Sequence, residues 1–301
     1  MKNRNHILGV LKALSIVVFI GVALVPSHSF SENQSNTNKP SILSLDYCSD
    51  QFVLLLADRK QILALSKASE DIYSFYRARA KGIPKTESTI EEVIMLKPDI
   101  ALQTYRAAAH MREMTSRSDI GLFTTHYGSD PETVYKNIEL VGNTLNQNLR
   151  AKGFIELYKK RYAALKKKPR KNLKIAYVTP SSTTAGVGTS VDDIIKLSGF
   201  QSYAAAHGLN GWQSLPVELL VMDPPDMFIT GYFEDSAVTQ SRWSISRHDQ
   251  IFKMMQNTPT TNIPSSLMSC SGLFLVDAAE RIRKDAANMG IITEAEWGTN
   301  E

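Results

Sequence analysis

The chain has 301 residues, 43% hydrophobic and 21% charged, with a formal net charge of +4. This is long enough for two domains of ordinary size. The positive balance is not a nucleic-acid footprint: residues 1–29 hold Lys2, Arg4 and Lys12 and no acid, so without them the charge falls to +1.

Those 29 residues read as a secretory signal peptide. A cationic start precedes an apolar core, Ala13 to Val25, that is short for a membrane span. Pro26 and the small residues Ser27 and Ser29 follow, with cleavage expected after Ser29. No Cys lies there to carry a lipid, so a soluble periplasmic product is expected. Residues 30–40, rich in Ser and Asn, form a polar leader. Cys48 and Cys270 stand one in each half of an exported chain, and two readings stay open: a disulfide, or two buried thiols.

Ser41 to Leu45 is a first strand, followed by the turn Asp46-Tyr47-Cys48-Ser49 and an apolar helix over Asp50 to Ala57. Ile62 to Leu65 is a second strand. Tyr73, Phe75, Tyr76, Arg77, Arg79 and Lys81 then form an aromatic and cationic cluster. Ser88 with Glu91, and Thr89 with Glu92, each fit a helix capping box. Strands Ile100 to Gln103 and Gly121 to Thr125 end at Tyr105-Arg106 and at His126-Tyr127. A basic helix spans Leu149 to Lys168. Phe154, Ile155, Tyr158, Tyr162 and Leu165 make its apolar face, its lysines and Arg161 point to water, and Pro169 stops it. Beyond it come strand Ile175 to Thr179, a Ser/Thr/Gly loop from Pro180 to Gly188, and helix Ser190 to Leu197. A loop from Gly208 to Trp212, a short helix after Pro216, strand Met227 to Thr230 and a closing helix Leu273 to Ala287 complete the chain.

The two halves echo each other. Ile90-Glu91 leads through an apolar run to Pro98-Asp99 and a strand, and Val217-Glu218 leads to Pro225-Asp226 and a strand. The spacing from Glu to Pro-Asp is the same, which implies two related α/β lobes with parallel sheets and the basic helix as a strut between them.

In order and spacing, four stretches resemble a known family: Ser41 to Gln51 with Leu63 to Ser66, Ile90 to Ile100, Gly186 to Asp193, and Leu215 to Asp226. Together they are similar to the helical-backbone class of periplasmic binding proteins, which serve ABC importers of ferric siderophores, haem and cobalamin. The resemblance implies two Rossmann-like lobes, at residues 41–147 and 170–301, joined by one helix at 148–169, with the ligand held between them. It implies a non-enzymatic, monomeric carrier whose partners are a small metal chelate and a membrane permease. It also implies one glutamate on each lobe, Glu91 and Glu218, for pairing with permease arginines; Glu92 leaves the first position open by one residue.

Strand ends and helix starts then supply the candidate ligand-binding side chains. From the first lobe these are Tyr47, Ser49, Tyr76, Arg77, Tyr105, Arg106 and Tyr127; from the second, Thr183, Thr184, Trp212, Tyr232, Phe233, Trp243 and Arg247. Tyr and Trp offer broad faces with a polar tip for a partly apolar chelate, and Arg suits its carboxylates. No cofactor is expected; the ligand is a ferric chelate, with a corrinoid as the alternative. His110, His126, His207 and His248 lack metal-site spacing, and neither a Gly-x-Ser-x-Gly elbow nor a His-Glu-x-x-His motif supports a secreted hydrolase. Gly186-Val187-Gly188-Thr189 lacks the Lys-Ser/Thr ending of a nucleotide loop.

Overall fold

Short apolar runs punctuated by polar turns become strands, and the periodic segments between them become helices. The computed structural model describes residues 39–104, 109–166, 172–232, 249–272, 274–293 and 296. The signal peptide, most of the leader, Tyr105, Arg106, Phe233, Trp243, Arg247 and the predicted end of the strut at Pro169 lie outside them.

The first lobe runs β1 (Ile42–Ser44), α1 (Tyr47–Leu56), β2 (Ile62–Ser66), α2 (Arg77–Ala80), β3 (Lys85–Thr86), α3 (Ile90–Leu96), β4 (Ile100–Gln103), α4 (Ala109–Arg117), β5 (Gly121–Thr124) and α5 (Pro131–Thr144). Its strands form one parallel sheet in the order β3-β2-β1-β4-β5. After α6 (Asn148–Ala164) the second lobe runs β6 (Lys174–Val178), β7 (Thr183–Ala185), α7 (Ser190–Leu197), β8 (Gln201–Ser202), α8 (Tyr203–Ala206), β9 (Trp212–Ser214), α9 (Val217–Met222), β10 (Met227–Thr230), α10 (Asp249–Asn257), β11 (Thr260–Asn262) and α11 (Leu275–Asn288). Its main sheet is parallel as well, in the order β11-β10-β6-β8.

In both main sheets the first strand lies between the second strand of that sheet (β2 or β8) and the strand that follows the echoed helix (β4 or β10), so each has a topological switch point beside that first strand. One contact is also repeated. The Asp99 carboxylate accepts from the Ser41 backbone N–H at 2.7 Å, and the Asp226 carboxylate accepts from the Lys174 backbone N–H at 2.7 Å. Each Pro-Asp therefore ends its helix and fastens the start of one central strand to the other. The Ser41 hydrogen bonds hold the Asp99 carboxyl below its ordinary range.

The strut spans about 25 Å at the usual helical rise. Ala151, Tyr158 and Leu165 are buried, with Phe154, Ile155 and Tyr162 packed against the same core. That core includes Ile42 and Leu102 of the first lobe and Ile175 and Ile282 of the second, so the strut joins the lobes through a continuous apolar interior. At its start Arg150 donates to the Leu56 carbonyl and to Asp58, both at 2.6 Å. Further along, Tyr158 Oη accepts from the Val276 backbone N–H at 3.3 Å, and Arg161 reaches Asp277 and Glu280.

Several expectations need correction. The turn Asp46 to Ser49 is the cap and first turn of α1, because Asp46 accepts from the Cys48 and Ser49 N–H groups. Only Thr89 caps α3: Ser88 has φ 60°, and the Glu92 carboxylate turns to the Thr86 hydroxyl and the Glu87 N–H. The strut ends at Ala164, and Arg161 is an ion-pair partner and not a solvated charge. Within the expected loops, Thr183–Ala185 and Trp212–Ser214 pair as antiparallel strands.

Candidate functional site

The site is built at the carboxyl ends of the strands, where backbone groups leave the sheets. In the first lobe, Asp46 spans the switch point. One carboxylate oxygen caps α1 while the other accepts from the Thr104 N–H at 2.6 Å, tying the end of β1 to the end of β4. After β5, the Asn137 side chain on α5 holds the next loop, accepting from the His126 N–H at 2.7 Å and donating to the His126 carbonyl at 2.9 Å. The following residue, Tyr127, is left 90% exposed at the loop's tip.

In the second lobe, β9 sets Trp212 opposite Ala185. The indole is 52% exposed and meets the Tyr177 ring edge-on, with centroids 5.9 Å apart. Gly186 permits this arrangement: a Cβ there would lie 2.1 Å from the Leu209 carbonyl oxygen. The glycine is thus explained by close backbone approach.

The lobes meet around a cavity of about 460 Å³. The first lobe contributes Phe52, Thr104, and the loop from Thr125 to Asp130; the second contributes Gly188 to Ser190, Asp193, Trp212, and Ser269 to Ser271. This volume lies within the common range for small-molecule sites, about 300–1,000 Å³. Behind it, a narrower cavity of about 260 Å³ lies against the strut, lined by Tyr135, Tyr158, Tyr162, Leu275 and Val276. Ser129, Asp130 and Asp193 border both. The Ser129 hydroxyl donates across the lobes to the Asp193 carboxylate. Burial pushes the Asp193 carboxyl up, and that hydrogen bond pulls it part of the way back.

On another side the cleft is closed by a seam of cross-lobe contacts. Cys48 and Cys270 are joined by a disulfide, with Cα atoms 5.4 Å apart. Phe75 stacks on Phe274 at 4.8 Å, and Tyr73 packs on Tyr232 at 5.5 Å. The Tyr232 hydroxyl lies 3.1 Å from Ser269 Oγ.

A family model described as periplasmic binding protein matches residues 42–260, most of the chain. The chain belongs to the periplasmic binding protein family. Among solved structures, this periplasmic binding protein is similar to the haem-binding protein HutB of Vibrio cholerae, at 18% identity and a TM-score of 0.69 over 81% of this chain and 98% of that one. It is also similar to a periplasmic haem-binding protein from Pseudomonas aeruginosa, at 15% identity and TM-score 0.66 over 86% and 97% of the two chains. A third is an ABC-type Fe3+-hydroxamate transport system structure from Saccharomonospora viridis, at 15% and 0.60 over 82% and 93%. At such identities the likeness establishes the fold. No curated protein matches the sequence. Among the described residues, no helix is long and apolar enough to cross a membrane, and no cluster of three or more His, Cys, Asp or Glu is placed to hold a metal ion.

The structure sorts the candidate side chains of this binding protein into separate groups. Tyr127 and Trp212 line the open cavity from opposite lobes. Tyr47 and Tyr232 belong to the seam, Tyr47 packing on the Cys48, Cys270 and Phe274 cluster. Tyr76 packs edge-on to Phe75 beneath Arg79, and burial raises its phenol. Arg77 is exposed and donates to the Ser74 carbonyl at 3.2 Å. Thr183 is half-buried on β7, its hydroxyl 3.1 Å from Ser181 Oγ, while Thr184 is buried. Ser49 is fully buried, and its hydroxyl closes the α1 capping box, so it has no surface to offer a ligand. Glu91 and Glu218 are exposed, each the second residue of its helix. The positioning roles of Asp46 and Asn137 went unread: one stood within a turn and the other on a helix, and neither position reveals a contact across the lobe.

Proposed function

We propose that this protein captures a metal chelate, a ferric siderophore or haem, in the cleft between its lobes and delivers it to the permease of an ABC importer. The observation that carries this reading is the cavity itself. Its size suits a compact ligand, and it has an exposed Tyr127 on one wall and Trp212 on the other. The solved structures with this fold support it, being named for haem binding and Fe3+-hydroxamate transport. Tyr105, Arg106, Trp243 and Arg247 join the ligand set in this proposal. Cobalamin is the second ligand class. Residues 1–29 direct export and are removed, the mature carrier acts as a monomer, and Glu91 and Glu218 pair with cationic side chains of the permease.

The test is tryptophan fluorescence of the mature protein titrated with ferric hydroxamate, ferric catecholate, haem and cobalamin, with inner-filter controls. One ligand should quench saturably at micromolar concentration or below, and Trp212→Ala should remove part of that signal and weaken binding about tenfold. Flat titrations with all four would reject the ligand class.

A further inference from the structure

Each lobe carries an exposed methionine at the same place. Aligning Ile90-Glu91-Glu92-Val93-Ile94-Met95 of α3 with Val217-Glu218-Leu219-Leu220-Val221-Met222 of α9 puts the glutamates, the buried anchors and the methionines in register. Val93 and Leu220 are both fully buried and hold their helices to the sheets. Met95 is 72% exposed and Met222 84%, among the barest large apolar side chains described. In both helices the methionine stands four residues after the glutamate, so the two side chains share a face one turn apart. In both, Pro-Asp begins three residues after the methionine, and its Asp accepts from the backbone N–H at the start of the lobe's first strand.

A single exposed methionine needs no explanation. The same residue, largely bare in both cases, at one register in two lobes with otherwise different helix sequences is another matter. Core packing does not require it, since Val93 and Leu220 already provide the burial. Glu91 and Glu218 have no ion-pair partner among the described residues, so each lobe shows one unpaired anion beside one bare, flexible, polarizable side chain. A repeated patch of this kind complements a partner built from two like subunits, each offering a cation next to an apolar pocket.

We propose that Met95 and Met222 are the paired apolar anchors of the permease-docking surface, each seated in a pocket beside the cation that meets Glu91 or Glu218. This rests on the docking reading above and adds to it the apolar half of the contact.

The experiment uses the full mature protein with inner-membrane vesicles of the producing organism, periplasmic face outward, and with protein-free liposomes as a second arm. Peroxide oxidation is followed at each methionine by mass spectrometry, and the vesicle-retained fraction is measured for Met95→Gln, Met222→Gln, Glu91→Gln and Glu218→Gln. In free protein both methionines should oxidise readily. Vesicles should protect both together by several-fold, liposomes neither, and each Met variant should lower retention about tenfold while keeping the ligand-induced fluorescence change. If the Glu variants release the protein while Met95 and Met222 stay oxidisable, the docking reading survives and the anchors are refuted. Protection of only one methionine, or equal protection by liposomes, also overturns the proposal. No retention, or retention indifferent to both glutamates, removes the docking reading and the anchors with it.

Discussion

Individual side chains here are set apart by what surrounds them more than by their type. Asp50 lies fully buried in α1, accepting from the Ser66 N–H at 3.0 Å and the Ser66 hydroxyl at 2.6 Å. Burial pushes its carboxyl up to about 6, with the Ser66 hydrogen bonds acting in the opposite direction. A carboxyl raised above its unfolded value favours the native state while protonated. That contribution is complete below the unfolded value of 3.8 and is lost as pH rises through 6. Asn at this position can accept from the N–H and donate to the hydroxyl, and it does not titrate. From pH 4 to 7, Asp50→Asn should therefore gain stability relative to wild type by about 2 kcal/mol, measured by urea unfolding at both ends of the range. A variant whose relative stability stayed constant with pH would show that Asp50 is not held in this state. At this scale the sequence was only partly legible. It marked Tyr127 and Trp212 as aromatic residues near strand ends, but did not separate them from Tyr47 and Tyr232 in the seam.

Elements were easier to anticipate, because their signals are local. Helix Ser190–Leu197 has the expected limits, and the strands after both Pro-Asp pairs lie where expected. Among the elements not anticipated are β7 and β9: each has three residues, and each depends on a partner about 30 residues away. A short strand has little sequence pattern of its own. The strut's seating is likewise tertiary. A Cβ at Gly142 would stand 2.4 Å from the Ala151 Cβ, so α5 and α6 approach closely because this position has no side chain. Gly142→Ala should force the two helices apart and cost about 1–3 kcal/mol, despite alanine's better helix propensity, as read by thermal or urea unfolding. A neutral or stabilising substitution would mean that the contact can relax without cost.

On the scale of the whole molecule, the lobes are linked by the strut with its core, by the seam and by the Ser129–Asp193 hydrogen bond. The disulfide closes a sequence separation of 222 residues. The chain-entropy model gives such a loop a contribution of about 5 kcal/mol, against the 2–4 kcal/mol typical of measured disulfides. Reduction, or Cys48→Ser with Cys270→Ser, should lower unfolding stability by an amount in that range. It should also loosen the cleft wall formed by Cys48, Cys270 and Ser271, seen as faster hydrogen exchange in Ser269 to Ser271. Unchanged exchange there would show that the lobes are held without the disulfide. The two-lobed α/β plan, the parallel strands, the repeated Glu to Pro-Asp segment and the strut were determined by sequence alone. Apolar periodicity and breaking residues act over a few neighbours, and the repeated segment is visible by comparing the two halves, so all three can be read there. The pairing of Cys48 with Cys270, the assignment of aromatics to cavity or seam, and the ion pairs of Arg161 were decided only by the tertiary structure. Each requires groups far apart in the chain to arrive at one place, and that arrival depends on how the lobes pack.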